Sequence, residues 1–136
     1  MPGPPPAPPA AKVLIIDDDK AFVDIVIHFL QKAGYRFAVA VDAMQGFMFA
    51  QREAPDLILL DLQMPAGGGM QLLQKVRAHA RTRAIPILMV TAARDPKLEA
   101  EAKTKGAQGF LSKPVDEARL LRAIQPLLAP RGNPQQ

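Results

Sequence analysis

The chain has 136 residues, 49% of them hydrophobic, and a formal net charge of +4 at pH 7. This length predicts one domain with a proper hydrophobic core. Cysteine is absent, which excludes disulfides, thiolate metal sites and a cysteine nucleophile, so oxygen ligands remain for any metal. We expect a cytoplasmic protein with no membrane contact, because no apolar run approaches the roughly 18 residues of a membrane span and the N-terminus lacks a signal-peptide core.

The positive charge favours a solvated surface over nucleic-acid binding, because the basic residues are spread over several predicted elements without interleaved aromatic residues. These residues include Arg77, Arg81, Arg83, Lys97, Lys103 and Lys105. Residues 1–11, MPGPPPAPPAA, predict a disordered or extended Pro-rich tail that suits a linker. We predict one folded domain over residues 12–129 and a flexible C-terminal tail over residues 130–136.

Short apolar runs alternate with stretches of helical periodicity between these tails. Strands are predicted over residues 13–16, 37–41, 57–60, 85–90 and 109–111. Helices are predicted over residues 20–33, 43–53, 70–80, 96–105 and 116–128. The apolar runs do not alternate with polar residues, which is typical of strands buried on both faces of a parallel sheet. Right-handed crossovers then predict an α/β fold, a doubly wound five-stranded parallel sheet with five helices.

Local signals at the helix ends support these assignments. Asp18 or Asp19, Asp42 and Asp95 are suited to cap helix N-termini, and Gly34 to end the first helix. We interpret the methionines as core filler. We interpret two histidines within predicted helices as structural or surface residues rather than phosphohistidines or metal ligands; they are His28 and His79.

Polar side chains follow four of the five predicted strands. Asp17 and Asp18 follow the first, Asp61 the third, Thr91 lies at the end of the fourth, and Lys113 follows the fifth. The carboxyl ends of parallel strands share one edge of the sheet, which is where open α/β sheets bind ligands. We therefore expect these five side chains to meet in one crevice.

Three carboxylates in that crevice would repel one another. Two unit charges about 4 Å apart repel by roughly 4 kcal/mol at an effective dielectric constant near 20, so the site should raise a carboxyl pKa or bind a divalent cation. Carboxylates, a backbone carbonyl after Asp61, waters and a phosphoryl oxygen suit the octahedral coordination of Mg²⁺ better than that of zinc or copper. The residues therefore predict a magnesium site.

A carboxylate can also attack phosphorus and form an acyl phosphate. Asp61 stands alone at its strand end and is the candidate nucleophile, while Asp17 and Asp18 would hold the metal. Lys113 would pair with the phosphoryl group, and the Thr91 hydroxyl would donate to a phosphoryl oxygen.

Four motifs in order resemble the receiver domain of bacterial two-component response regulators: IIDDD, LLDLQMP followed by Gly69, MVTA, and GFLSKP. The resemblance extends from Lys12 to Leu128. It implies a flavodoxin-like fold with strand order 2-1-3-4-5. It also implies a phosphorelay switch that takes a phosphoryl group from a histidine kinase or phosphotransfer protein, and that is not an enzyme beyond its own phosphorylation and dephosphorylation.

The resemblance assigns roles to individual residues. Asp17 and Asp18 match the metal-site acids, Asp61 the phosphorylated aspartate, and Gln63 the residue whose backbone carbonyl meets the metal. Further matches are Thr91 as switch hydroxyl, Lys113 as phosphate-pairing lysine, Phe110 as switch aromatic, and a cis peptide bond between Lys113 and Pro114. The signal would be read on the face made by helix 4, strand 5 and helix 5, by an unknown protein partner or in a phosphorylation-dependent homodimer.

Two departures from the family pattern bear on this resemblance. Phe110 has no hydroxyl where many relatives carry Tyr, so an output that needs a hydrogen bond from that position is excluded. Gly67 and Gly68 replace bulkier residues before Gly69, which makes the active-site loop more permissive.

Two other function classes remain as alternatives. An aspartyl-phosphate phosphatase of the haloacid dehalogenase type would need a second acid two residues after the nucleophile, where this chain has Gln63. A phosphorylation-independent interaction module or DNA binder is suggested by the basic charge. Direct DNA binding is not expected, because no helix-turn-helix follows the last helix.

Overall fold

The computed structural model of the chain describes residues 10–64, 68–92 and 95–128. Three predicted features lie outside the described residues: residues 1–9 of the N-terminal tail predicted over residues 1–11, the C-terminal tail over residues 130–136, and Gly67 of the glycine-rich loop. Ala10 and Ala11, which the sequence assigned to the N-terminal tail, contact the start of the second strand. Their carbonyl oxygens accept hydrogen bonds from Arg36 Nε at 2.8 Å and from Arg36 N–H at 2.9 Å, respectively.

Five parallel strands form one sheet in the order β2-β1-β3-β4-β5, which confirms the predicted fold class and strand order. The strands are β1 (Lys12–Ile16), β2 (Arg36–Ala40), β3 (Leu57–Leu60), β4 (Ile87–Thr91) and β5 (Gly109–Ser112). Ile16, the last residue of β1, pairs with Ala40 on one side and Leu60 on the other. The carboxyl ends of the three strands are therefore level.

Five helices cover the two faces of the sheet. They are α1 (Lys20–Lys32), α2 (Ala43–Glu53), α3 (Gly69–Ala78), α4 (Pro96–Thr104) and α5 (Glu117–Leu128). Leu14 and Ile16 of β1 pack in a cluster with α2, α3 and α4, whereas Val13 and Ile15 pack with α1 and α5. Alternate strand residues thus enter opposite layers of the core, because successive side chains of a strand point to opposite faces. Within the described residues, no helix is long and apolar enough to cross a bilayer.

Three predicted helix caps are present. The carboxylates of Asp19, Asp42 and Asp95 each accept a hydrogen bond from a backbone N–H in the first turn of α1, α2 and α4. Asp19 rather than Asp18 is therefore the cap of α1, which leaves Asp18 exposed beside the end of β1.

Element boundaries differ from the predictions by two residues at most. The largest strand difference is in β4, which begins at Ile87 rather than Ile85. The N–H of Ile85 bonds to the carbonyl of Thr82 in a turn, and Pro86 has no N–H for the sheet. Helix α3 ends at Ala78, because His79 has an extended backbone with φ −98° and ψ 132°.

The methionines are not uniformly core filler. Met64 and Met89 are buried, but Met44 and Met48 of α2 are 82% and 48% exposed. Helix α2 lies over the β2 edge of the sheet, where it contacts β1, β2 and α3. The interpretation as core filler was wrong for Met44 and Met48. The apolar face of α2 is wider than the area that β1, β2 and α3 cover, so both side chains remain exposed.

Arg77 is also not the solvated surface residue that its sequence context predicted. Its guanidinium donates to the carbonyl oxygens of Arg83, Ile85 and Gly106 and to Oε1 of Gln108, at 2.7 to 3.0 Å. Burial lowers the pKa of the Arg77 guanidinium. This side chain joins the end of α3 to the segments that enter β4 and β5.

Candidate active site at the carboxyl edge of the sheet

The hydrogen-bond ladder of the sheet extends past the strand ends into the predicted site. The N–H of Asp17 donates to the carbonyl oxygen of Ala40 at 3.0 Å, and the N–H of Asp61 donates to the carbonyl oxygen of Ile16 at 3.1 Å. On the other side, the N–H of Lys113 donates to the carbonyl of Thr91 at 2.8 Å. Hydrogen bonds between neighbouring strands therefore hold the backbones of four of the predicted site residues, Asp17, Asp61, Thr91 and Lys113.

Three carboxylates meet at this edge. One oxygen from each of Asp17, Asp18 and Asp61 lies within 4.8 Å of the others. Asp17 and Asp61 are buried, with 2% and 6% of their surfaces exposed, whereas Asp18 is exposed. The N–H of Asp19 donates to Asp17 Oδ1 at 2.9 Å, and the N–H of Gln63 donates to Asp61 Oδ1 at 3.1 Å. These two bonds orient the buried carboxylates.

The Lys113 ammonium lies between the buried acids. Its Nζ is 2.8 Å from Asp17 Oδ2 and 3.7 Å from Asp61 Oδ2, and its side chain is 13% exposed. The ammonium also lies over the face of the Phe22 ring, with Nζ 4.2 Å from the ring centroid. The peptide bond between Lys113 and Pro114 is cis.

Burial raises the pKa of the Asp17 carboxyl, and the neighbouring charge of Asp61 acts in the same direction. The ammonium of Lys113 and the N–H of Asp19 lower that pKa, but burial is the largest effect. The site therefore carries more negative charge than its single ammonium compensates among the described residues.

The donor set fits a hard divalent cation. Oxygen ligands from one or more carboxylates, completed by water, are what Mg²⁺ prefers, and a cation would relieve the repulsion that the ammonium leaves. Asp17, Asp18 and Asp61 could supply carboxylate oxygens. Gln63 follows Asp61 in the loop, with its N–H already bonded to the Asp61 side chain.

The remaining two predicted residues lie on β4 and β5. Thr91 is fully buried as the last residue of β4. Phe110 pairs with Met89 in the register of β4 and β5, and it lines a cavity of about 370 Å³ together with Asp95, Glu99 and Arg119. That cavity belongs to the face made by α4, β5 and α5.

Sequence reasoning missed one side chain at the site. Helical spacing identified Phe22 as an inward-facing residue of α1, and it is 8% exposed. The spacing could not reveal that its ring contacts an ammonium, because Lys113 comes from the far end of the chain. No local signal marks such a contact.

Comparison with known proteins gives the same family throughout. A family model described as the response regulator receiver domain matches residues 13–125. The chain is 34% identical to protein PilH of Pseudomonas aeruginosa, over 88% of this chain and 98% of PilH. It is 39% identical to the DNA-binding dual master transcriptional regulator RpaA of Synechocystis sp., over 86% of this chain. The chain spans 48% of the length of RpaA.

Solved structures agree with this comparison. Chemotaxis protein CheY4 of Vibrio cholerae superposes with a TM-score of 0.83 at 36% identity, covering 88% of this chain and 99% of CheY4. The receiver domain of a sensor histidine kinase from P. aeruginosa, with a magnesium ion coordinated in its active-site cleft, superposes with a TM-score of 0.81. It is 26% identical and covers 89% of this chain and 99% of its own. The chain therefore belongs to the receiver domain family of two-component response regulators.

Proposed function

We propose that this receiver is a phosphorylation-dependent switch in the cytoplasm, which accepts a phosphoryl group on Asp61 from a histidine kinase or phosphotransfer protein with Mg²⁺ as cofactor. The observation that carries the proposal is the position of the buried Asp61 carboxylate. It lies within 4.8 Å of two further carboxylates and 3.7 Å from the Lys113 ammonium. Such a site combines a nucleophile with groups that hold positive charge beside it.

In the proposed transfer, a carboxylate oxygen of Asp61 forms a bond to phosphorus. The bond from phosphorus to the donor's imidazole nitrogen breaks, and its electron pair returns to that nitrogen. The N–H of Gln63 keeps the Asp61 carboxylate oriented through Oδ1. Bound Mg²⁺, held by Asp17, Asp18, Asp61 and the Gln63 carbonyl, would neutralise charge on the phosphoryl oxygens.

Lys113 and Thr91 would recognise the product. The ammonium pairs with Asp17 and lies 3.7 Å from Asp61. A phosphoryl group on Asp61 would therefore compete with Asp17 for the ammonium, which acts as a point charge. The Thr91 hydroxyl would donate to a phosphoryl oxygen. We expect no turnover of an external substrate, because these groups serve only the phosphorylation and dephosphorylation of Asp61.

The proposed output surface is the face of α4, β5 and α5, with Phe110 as the switch aromatic. Moving a two-state equilibrium from 1:99 to 99:1 requires about 5.5 kcal/mol of differential stabilisation. A dianionic group that contacts an ammonium, a hydroxyl and a cation is a reasonable source of that energy. The occupant of the surface would be a protein partner or a second copy of the chain.

The proposed receiver domain comprises residues 12–129. The family match over residues 13–125 falls within these bounds, and the described elements run from Lys12 to Leu128. The flanking tails over residues 1–11 and 130–136 stay predictions.

Mass spectrometry after incubation with acetyl phosphate and Mg²⁺ tests the proposal. The parent should gain one phosphoryl group, and Asp61→Asn should gain none, because the amide is not a comparable nucleophile. Asp24→Asn is the matched control, since Asp24 is an exposed acid of α1 whose ion pair with Lys20 contributes little. An unchanged parent mass despite measured Mg²⁺ binding would favour a phosphorylation-independent interaction module.

A further inference from the structure

We propose that the Phe22 ring is a positioning residue for Lys113, which holds the ammonium beside Asp61 through a cation–π contact. This inference rests on the proposed function, because it concerns the lysine that would pair with the phosphoryl group. Its geometric basis is the 4.2 Å distance from Lys113 Nζ to the ring centroid. That distance lies within the roughly 6 Å over which a ring face attracts a cation.

The ammonium has three defined neighbours. Asp17 Oδ2 is 2.8 Å away, Asp61 Oδ2 is 3.7 Å away, and the ring face of Phe22 is the third. Both Phe22 and the Lys113 side chain are largely buried. Cation–π attraction is stronger where water is excluded, so this contact should contribute more than an exposed one.

The rigidity of the ring explains why it could act as a positioning group. Phe22 lies in the first turn of α1 and packs in the core layer of α1 and α5. The carboxylate of Asp19 accepts a hydrogen bond from the Phe22 N–H at 3.2 Å, which fixes the backbone beneath the ring. Lys113, by contrast, has a long side chain with many rotamers, and the ring restricts where its ammonium can go.

The contact between the Phe22 ring and the ammonium matters for phosphoryl transfer, because the ammonium lies near both acids. In the unphosphorylated protein the ammonium is closer to Asp17 than to Asp61. To pair with a phosphoryl group on Asp61, the ammonium would move from Asp17 towards Asp61, and we expect the ring to limit how far it strays. An aliphatic residue of similar size would fill the space but would not attract the ammonium.

The decisive experiment changes the electrostatics of the ring with little change in its size. Phenylalanine with one, two or three fluorine atoms is inserted at position 22 by site-specific incorporation, because fluorine withdraws charge from the ring face. Phosphorylation by acetyl phosphate with Mg²⁺ should slow stepwise, to a loss of about two- to thirtyfold at the strongest substitution. Thermal unfolding of each variant checks that the fold is retained.

A second measurement needs neither metal nor phosphoryl donor. In the unphosphorylated parent, the ring current of Phe22 should shift the methylene protons of Lys113 upfield in the NMR spectrum. Phe22→Leu should abolish that shift. Lys20 is the internal reference, because its side chain is 87% exposed and pairs with Asp24 instead.

The outcomes separate this inference from the proposed function. If the parent itself is not phosphorylated, the proposed function fails, whatever the Lys113 shifts show. If the parent is phosphorylated and all fluorinated variants react at the parental rate, Phe22 is only a packing residue and the inference is overturned. The inference is also overturned if the phosphorylation rate falls in Phe22→Leu but not in the fluorinated variants, because the loss then comes from packing. Stepwise loss together with upfield Lys113 shifts supports it.

Discussion

At the scale of single residues, the site is defined by how one ammonium is shared. Lys113 lies closer to Asp17 than to Asp61, and Asp17 is one of the acids that could bind a cation. The positive charge of the lysine therefore offsets part of the negative charge that would attract a divalent cation. Metal binding and the Lys113–Asp17 ion pair should compete.

Removing that ammonium should strengthen Mg²⁺ binding while weakening phosphorylation. For Lys113→Met, whose side chain keeps the length without the charge, we expect Mg²⁺ affinity to rise by about fivefold, equivalent to about 1 kcal/mol. Phosphorylation by acetyl phosphate should slow, because the phosphoryl group would lose the cation that we propose to pair with it. Isothermal titration calorimetry measures the first effect and mass spectrometry the second. Unchanged Mg²⁺ affinity would contradict the competition.

At the scale of elements, the connection from β3 to α3 depends on a close backbone approach. A Cβ at Gly69 would collide with the carbonyl oxygen of Asp61 and lie 2.9 Å from the Cα of Leu62. At the adjacent Gly68, the nearest atoms to an added Cβ are 3.6 and 3.8 Å away, which is ordinary contact. Packing therefore requires glycine at position 69 but not at position 68.

Alanine should be destabilising at Gly69 and tolerated at Gly68. Gly69→Ala should lower the free energy of unfolding by about 1–3 kcal/mol and slow phosphorylation, since the Asp61 backbone must move. Gly68→Ala should leave both nearly unchanged, and it is the matched control. Urea denaturation and acetyl phosphate kinetics provide the measurements. Equal effects of the two substitutions would show that the close approach does not constrain the loop.

An ion pair joins the start of β1 to the end of α2. Lys12 Nζ is 3.1 Å from Glu53 Oε1, and this hydrogen bond and charge lower the pKa of the Glu53 carboxyl from its ordinary 4.5. A carboxyl whose pKa is lower in the folded chain stabilises the fold above its unfolded pKa. That stabilisation is lost as the pH falls through the folded pKa.

The stability of Glu53→Gln should therefore depend on pH differently from that of the parent. At pH 7 the variant should unfold at lower urea concentration, and the difference should disappear as the pH falls through the folded pKa of Glu53, which lies below the ordinary 4.5. Urea titrations across this pH range provide the test. Glu99→Gln, which removes an exposed pair with Lys103 on α4, should show a smaller difference. A difference that persists in acid would assign the effect to packing.

At the scale of the whole molecule, the site and the proposed output surface share β4 and β5. Thr91 ends β4, its carbonyl accepts the N–H of Lys113, and β5 carries Phe110 beside the cavity formed with α4 and α5. Because β4 and β5 are hydrogen-bonded neighbours, a displacement of Thr91 would directly move the backbone of β5 and thus that surface. If Thr91 is the switch residue that we propose, a substitution there should separate coupling from chemistry.

Replacing Thr91 with Val should weaken the switch more than the phosphorylation. The hydroxyl's hydrogen bond to a charged phosphoryl oxygen would contribute about 1.5–3 kcal/mol, a large part of the roughly 5.5 kcal/mol that a full switch requires. Amide shifts in α4, β5 and α5 that accompany phosphorylation of the parent should shrink in Thr91→Val, although Asp61 is still phosphorylated. NMR of both phosphorylated proteins measures the change.

Thr82→Val is the control for this experiment. Thr82 is also fully buried, but its hydroxyl donates to the carbonyl of Val76 at 2.7 Å, away from the site. This substitution should lower stability and leave the phosphorylation-dependent shifts intact. Full-sized shifts in Thr91→Val would exclude the hydroxyl as the coupling group.

The sequence by itself determined the order of elements, the parallel sheet and the convergence of the site. Continuous apolar runs such as Leu57–Leu60 predict buried strands, and parallel strands bring their carboxyl ends to one edge. Asp17, Asp61 and Lys113 could therefore be assigned to one crevice before any coordinate was known. Periodicity and the order of polar residues at strand ends are local properties of the chain, so the sequence alone carries them.

Only the tertiary structure decided which side chains touch between elements that are distant in sequence. Three features depend on how particular helices pack. They are the contact of Phe22 with Lys113, the bonds of Arg77 to the segments before β4 and β5, and the exposure of Met44. Periodicity gives the face on which a residue lies but not the atom that it meets there. The ring beside the ammonium therefore appears only when α1 and the end of β5 are placed together.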